Sequence, residues 1–273
     1  MKLFPQCNLH THTSYCDGAN SPEQIVFSAI GEGLETIGFS GHSYVHFDLD
    51  CCMTREQTTE YRREILHLRE QYADRISVLL GIEQDYYADD PATDYDFVIG
   101  SVHYLPTENG YFAIDQSREV LTNAVEHFYG GDFCRLLAHY YETLASVVEK
   151  TDCQIVGHFD LLSKFNEDGT LFEAEDPRAF LPAVTALDML LKKDVVFEIN
   201  TGAIARGYRT TPYPSMSLLR YIVQKGGRLT LSSDAHDRRM LTFAFEDAVE
   251  YLKSAGGSTL WSITNGKWAE SPI

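Results

Sequence analysis

Seven short apolar runs recur along this chain, separated by longer amphipathic stretches, and that alternation constrains its fold more than any other feature. The runs cover residues 3–9, 36–40, 76–83, 97–102, 154–157, 195–199 and 229–232. Several are apolar nearly throughout, as in Ile76-Ser77-Val78-Leu79-Leu80-Gly81-Ile82, the pattern of parallel strands covered on both faces. The stretches between them read as helices. Ser21-Pro22-Glu23-Gln24 supplies an N-cap, a proline at the first helical position and a capping-box glutamine, and Thr54-Arg55-Glu56-Gln57 repeats the capping box. Further helices are predicted over 118–150, broken at Gly130-Gly131, over 177–192 and over 215–225. Strand and helix in repeated alternation predict a parallel α/β sheet, and seven strands favour closure into a barrel over an open sheet. With no internal repeat and no linker rich in Pro, Gly or Ser, the 273 residues are expected to form one domain spanning 1–273.

The polar residues able to do chemistry sit at the ends of these runs. His10 and His12 end the first, His42 follows the second, Glu83 ends the third, His103 the fourth and His158 the fifth. Asn200 ends the sixth, and Asp234 with His236 the seventh. The C-terminal ends of parallel strands share one face, where function concentrates, so residues far apart in sequence are expected to meet. Residues i and i+2 of an extended chain point to the same side. His10-Thr11-His12 can therefore offer two imidazoles to one cation, and Asp234-Ala235-His236 a carboxylate and an imidazole. Mixed imidazole and carboxylate donors suit Zn, Mn or Fe rather than Mg or Ca alone. His67, His127 and His139 fall in helical stretches and are read as structural or solvated. His46 lies in the loop after His42, close to the group but not counted as a ligand.

The formal net charge is −18 and the pI about 4.8. An acidic surface repels polyanions, which argues against nonspecific binding to nucleic acid or anionic membrane. It also poses a puzzle for an anionic substrate, unless bound cations reverse the local sign. None of the six cysteines forms a C-x-x-C pair. Cys16 falls beside the proposed cations and is read as a bystander thiol. No stretch in residues 1–10 looks like a signal peptide and no later run is long enough to cross a membrane, so a cytoplasmic protein with reduced thiols is expected.

These residues resemble the PHP (polymerase and histidinol phosphatase) superfamily. His10-Thr11-His12-Thr13-Ser14 with Asp17 resembles its first motif and Gly38-Phe39-Ser40-Gly41-His42-Ser43 its second. Gly157-His158-Phe159-Asp160 and Ser233-Asp234-Ala235-His236 resemble the third and fourth, and the likeness runs from Leu9 to His236. Within the superfamily the chain is similar to the histidinol-phosphate phosphatases, through Phe97-Val98-Ile99-Gly100-Ser101-Val102-His103, the segment from His158 to Phe165, and Glu198-Ile199-Asn200-Thr201-Gly202.

The resemblance implies a distorted seven-stranded (β/α)7 TIM-like barrel with three divalent transition-metal ions (Zn, Mn or Fe). Carried over position by position, one metal would take His10, His12, Glu83 and Asp234. A second would share Glu83 and add His103 and His158, and a third would take Asp17, His42 and His236. Catalytic roles are implied for Glu83, Asp234, His236 and Arg206. Substrate contacts are implied for His42, Lys164 and Arg206, with Arg209 as the substitute for Arg206. The implied activity is phosphomonoester hydrolysis, with L-histidinol phosphate as substrate and a hydroxide between two metals as nucleophile. Other small phosphate esters or a phosphodiester are the alternative. An amidohydrolase is disfavoured because no Lys stands at a strand end, and a noncatalytic metal module because all nine ligand positions carry competent donors.

Overall fold

The computed structural model describes residues 4–264 and 266–273, so Leu3, on which the first predicted strand begins, lies outside the described residues. Each apolar run carries a strand: β1 Cys7–Asn8, β2 Thr36–Phe39, β3 Ser77–Asp85, β4 Phe97–Ser101, β5 Ile155–Val156, β6 Val196–Asn200 and β7 Arg228–Ser232. They pair in chain order and every pairing is parallel. The two edges meet just beyond the strand ends. The His12 N–H donates to the Ala235 carbonyl at 2.9 Å and the Ala235 N–H to the His10 carbonyl at 3.2 Å. Below this bridge the Asn8 amide donates to Ser233 Oγ at 2.7 Å and to the Leu241 carbonyl at 3.0 Å. The sheet is thus a nearly closed barrel.

A small apolar cluster of Cys7, Leu9, Leu79, Phe97, Ile99 and Ile155 fills its interior. A Cβ at Gly81 would lie 2.2 Å from the Phe97 ring and one at Gly38 2.7 Å from it, so the ring occupies space these two positions leave open. The plug is closed from the N-terminal side by the antiparallel hairpin Thr259–Thr264 with Lys267–Pro272. Ile263 of that hairpin joins the plug, and its carbonyl accepts the hydroxyl of Thr36 at the start of β2 at 3.1 Å. With one end filled by apolar side chains, polar residues gather at the other.

Helices cover the outside and bury one face each against the strands. Pro22–Glu32 buries Ile25, Val26 and Ala29, and Arg55–Gln71 buries Tyr61, Ile65 and Leu68. Both predicted capping boxes form. Ser21 Oγ accepts the Gln24 N–H at 3.4 Å and Gln24 Oε1 the Ser21 N–H at 3.2 Å; the Thr54 and Gln57 pair does the same at 3.2 and 2.8 Å. The stretch 118–150 breaks at Gly130-Gly131, where both glycines have positive φ, giving Arg118–Tyr129 and Phe133–Leu144, and breaks again before Val147–Thr151. Pro177–Leu190 and Met216–Gln224 match the two later expectations.

Several elements carry no clear signal in the sequence. They are the hairpin Tyr104–Thr107 with Gly110–Ala113, the C-terminal hairpin, the short helix Gly202–Ala205 and the helix Phe245–Ser254. The hairpin strands are half exposed, so they lack the continuous apolar pattern that marks the parallel strands.

Candidate metal centre

The side chains named from the strand ends come together at the C-terminal mouth of the barrel. His10 and His12 lie just past β1, held by the bridge of Thr11 to Ala235 on one side. On the other, the Thr11 N–H donates to Ser40 Oγ at 3.1 Å and the Ser40 N–H to the Thr11 carbonyl at 3.0 Å. A second bridge fixes His42 against Glu83: the Ser43 N–H donates to the Glu83 carbonyl at 2.9 Å and the Glu83 N–H to the Gly41 carbonyl at 3.2 Å. Asp17 returns over His12 because residues 13–18 fold back tightly; a Cβ at Gly18 would lie 2.5 Å from the His12 carbonyl carbon. Asp234 adopts a positive φ of 47°, a conformation aspartate tolerates better than most residues and one that recurs at functional sites.

Glu83 is the hinge of the cluster, 1% exposed. Its Oε2 lies 3.3 Å from His10 Nε2, 3.5 Å from His12 Nε2 and 3.1 Å from His42 Nδ1. Its Oε1 lies 2.9 Å from His158 Nε2 and 3.3 Å from His103 Nε2, and accepts the Ser101 hydroxyl at 2.7 Å. Asp234 Oδ1 is 3.3 Å from His12 Nε2 and 3.7 Å from His10 Nε2. Zinc–nitrogen bonds of ~2.0–2.1 Å set tetrahedral ligands ~3.4 Å apart, which is the spacing found here. His10 Nε2 and His12 Nε2 are buried with no hydrogen-bond partner among the described residues. Buried polar atoms are rarely left so, and a cation between them would satisfy both.

A looser group forms the rim. Asp17 Oδ2 lies 3.0 Å from His236 Nε2 and 3.7 Å from His42 Nε2, and Asp17 Oδ1 3.5 Å from His12 Nδ1. His12, Asp17, His42 and His236 offer donor atoms within 4.8 Å of one another, as do three further sets: His10, His12 and Asp234; His10, Glu83 and His158; His42, Glu83 and His103. His42, assigned by resemblance to the third metal only, therefore faces both Glu83 and Asp17. Cys16 Sγ lies 3.6 Å from His12 Nδ1 and donates to the Thr13 carbonyl at 3.4 Å.

Carboxylates and imidazoles packed this closely compete for protons and cations alike. Burial alone would raise Glu83, but His10, His103 and His42 hold it well below the carboxylate range. Burial opposes a charge on His10, yet Glu198, Glu83 and Asp234 raise it well above the ordinary imidazole value. His103 is raised against its burial to about 10, chiefly by Glu83 and a hydrogen bond to Asp85. His12 goes the other way, down to about 3, through burial and the nearby His236 and His42.

Two carboxylates that orient the ligating rings were missing from the residues expected at the site. Glu198 Oε1 accepts from His10 Nδ1 at 2.7 Å, while its Oε2 accepts the His158 N–H and the Asn200 amide, each at 3.0 Å. Asp85 Oδ2 accepts the His103 N–H at 2.8 Å and lies 3.3 Å from His103 Nδ1. Such partners fix the tautomer that turns Nε2 toward a cation. Both had a signal: Glu198 interrupts the apolar run 195–199, and Asp85 follows Glu83 at i+2, on the same side of the strand.

Above the cluster lies a pocket of about 370 Å³, bordered also by Asp48, Asp50, Asp115, Lys164 and Arg206. Arg206 donates to Asp234 Oδ2 and lies against His236 Nδ1, both at 2.9 Å. Lys164 is tied to Asp115, donating to its Oδ2 at 2.9 Å and its carbonyl at 2.7 Å. Arg209 is not among the residues lining this pocket; it donates to the Thr211 carbonyl and hydroxyl, each at 3.2 Å, and stacks on Tyr213. His46 pairs with Asp89 and is exposed, His67 and His127 sit on exposed helix faces, and His139 binds the Tyr129 hydroxyl. All six cysteines are free.

Compared with known proteins, the chain matches the family model of the PHP domain over residues 8–202. It is 31% identical to the probable histidinol-phosphatase of Deinococcus radiodurans over 271 residues, covering 93% of this chain and 95% of that protein. A solved structure from Listeria monocytogenes superposes with a TM-score of 0.76 at 19% identity, covering 88% of this chain and 99% of that one. The histidinol phosphate phosphatase of Lactococcus lactis, solved with zinc, L-histidinol and phosphate, superposes with a TM-score of 0.71 at 21% identity, covering 97% and 99%. At these identities the two structures speak for the barrel fold.

Proposed function

This chain belongs to the PHP domain family, and from that membership we propose that it is a metal-dependent phosphatase converting L-histidinol phosphate to L-histidinol and phosphate. The observation that carries the reading is Glu83, whose two oxygens face two sets of imidazoles at coordination spacing. Relatives over nearly the full chain are named histidinol-phosphatases, and one related structure was solved with zinc, L-histidinol and phosphate.

In this reading three divalent ions (Zn, Mn or Fe) are held, the first by His10, His12, Glu83 and Asp234 and the second by Glu83, His103 and His158. The third is held by Asp17, His42 and His236. Cations at such positions supply a hydroxide nucleophile near neutral pH and neutralise charge on phosphoryl oxygens.

The chain's own residues do the rest. Glu198 and Asp85 keep the rings of His10 and His103 aimed inward. Arg206 is the phosphate clamp. A guanidinium only donates, so Arg206 pairs with His236 Nδ1 only while that nitrogen is bare. Once His236 turns the lone pair of Nε2 outward, its Nδ1–H finds the Asp234 carbonyl 3.0 Å away, and Nη1 of Arg206 can turn to a phosphoryl oxygen while Nη2 stays on Asp234 Oδ2 at 2.9 Å. Asp48 and Asp50 line the same pocket and suit a substrate that carries amine and imidazole besides its phosphate. In this reading the acidic mouth favours a phosphate ester with a cationic tail. Lys164, neutralised by Asp115, borders the same space.

The proposal includes one barrel domain over 1–273, a small phosphorylated metabolite as partner, no nucleic acid and no membrane, and a cytoplasmic location. Among the described residues no helix is long and apolar enough to cross a membrane. The test is phosphate release from a panel of small phosphomonoesters by metal-loaded protein, with metal analysis of the same sample. Preference for L-histidinol phosphate, lost on chelation and restored by Zn, Mn or Fe, is the expected result. Full turnover in protein shown to be metal-free overturns the reading.

A further inference from the structure

A second pocket of about 220 Å³ lies beside the metal pocket and shares none of its lining residues. Leu137, Tyr141, Phe172, Phe180 and Leu218 make much of its wall apolar. Its charged residues are Asp160, Glu167 and Arg209. Asp160 is 2% exposed; its Oδ2 accepts the Ser215 N–H at 2.9 Å, while its Oδ1 is buried with no partner among the described residues. Arg209, 8% exposed, spends donors on Thr211 and Ser163 and lies 3.6 Å from Glu167. Two carboxylates against one guanidinium leave one negative charge over. A buried carboxylate oxygen without a donor is costly. An ammonium group arriving from solvent brings both the missing donor and the missing charge. An apolar cavity of ~150 Å³ holds benzene, so this one has room for an aromatic or aliphatic body of that size with an aminomethyl group.

We propose that this pocket is a second ligand site, taking a small organic ammonium ion whose N–H groups reach Asp160 while its apolar body packs between the helices Phe133–Leu144 and Pro177–Leu190. The site communicates with the metal pocket through one short 3-10 turn, Leu161–Phe165. Ser163 of this turn borders the ammonium pocket, whereas Leu161 and Lys164 border the metal pocket. An occupant that braces Ser163 therefore alters the setting of Lys164 and with it substrate affinity. The binding site goes beyond the phosphatase reading and does not depend on it, whereas its effect on substrate affinity rests on that reading.

Calorimetric titration of benzylammonium into metal-loaded protein tests the site, with and without saturating orthophosphate. One-to-one binding is expected in both conditions, weakened at least ~10-fold in Asp160→Asn and absent for neutral benzyl alcohol. Ala183→Phe fills the pocket without removing the carboxylate, and keeps the test available where Asp160→Asn does not fold; it too should abolish binding. A parallel kinetic arm expects benzylammonium to change KM for a phosphate ester in the wild type and not in Ala183→Phe. Absence of binding at millimolar benzylammonium with only ordered water on Asp160, equal binding of benzyl alcohol, or binding retained in Ala183→Phe would each overturn the proposal. The binding arm needs no turnover, so failure of the phosphatase reading leaves it intact.

Discussion

The floor and the rim of the metal pocket are built differently. The floor consists of Glu83, His10, His12, His103 and His158, on or just past strand ends, with side chains almost wholly out of solvent. Glu83 is pinned by the bridge to His42 and by Ser101, His10 by the bridge at Thr11 and by Glu198, His103 by Asp85, and His158 through its backbone N–H by Glu198. The rim consists of Asp17, His42 and His236, whose side chains are 27%, 15% and 25% exposed. Asp17 hangs from a tight loop rather than from a strand end. A dry, preorganised donor set loses little freedom on taking a cation, while a wet set carried by a loop must order itself first. The floor is therefore expected to hold cations tightly and the rim to exchange them.

The harshest test of this contrast is Glu83→Gln. It removes charge shared by both floor groups, and a metal site supplies several kcal/mol to the transition state, so kcat should fall by ~10³-fold or more. Near wild-type turnover in metal-loaded variant protein would break the idea of a shared floor ligand. Asp17→Asn comes next. It should cost one bound cation per chain by elemental analysis and about 10²-fold in activity, ~2.7 kcal/mol, with the floor cations kept. Loss of all cations together would show that floor and rim are one cooperative unit. Glu198→Gln leaves every ligand in place but loosens the aim of His10, and ~10–100-fold weaker cation affinity is expected in competition with a chelator. An unchanged affinity would remove Glu198 from the floor's support. Smallest is Cys16→Ser, for which turnover within ~2-fold of wild type, about 0.4 kcal/mol, is expected with unchanged metal content. Loss of a rim cation would make the thiol a ligand.

Much of this is legible in the order of residues alone. The seven barrel strands, both capping boxes and the helix break at Gly130-Gly131 all depend on neighbours within a few residues. The chain states such neighbours directly. The gathering of strand-end side chains is legible for a related reason, because parallel strands align their C-terminal ends whatever the details of packing. The hairpin Tyr104–Thr107 with Gly110–Ala113 is not legible, since half-exposed antiparallel strands mix polar and apolar residues as loops do. Nor does the chain reveal that Glu198 serves His10, a residue 188 positions away.

By itself, then, the sequence determined the order of strands and helices, the end of the barrel that would be polar, and the chemical types of the donors waiting there. Tertiary structure alone decided which oxygen of Glu83 faces which imidazole, that His42 looks both to the floor and to the rim, and that Arg206 borders the metal pocket while Arg209, three residues on, lines a different one. The physical reason is range. Strand and cap formation follow local periodicity, whereas a side chain leaving a loop has no period, and its direction is settled only by the distant groups it packs against.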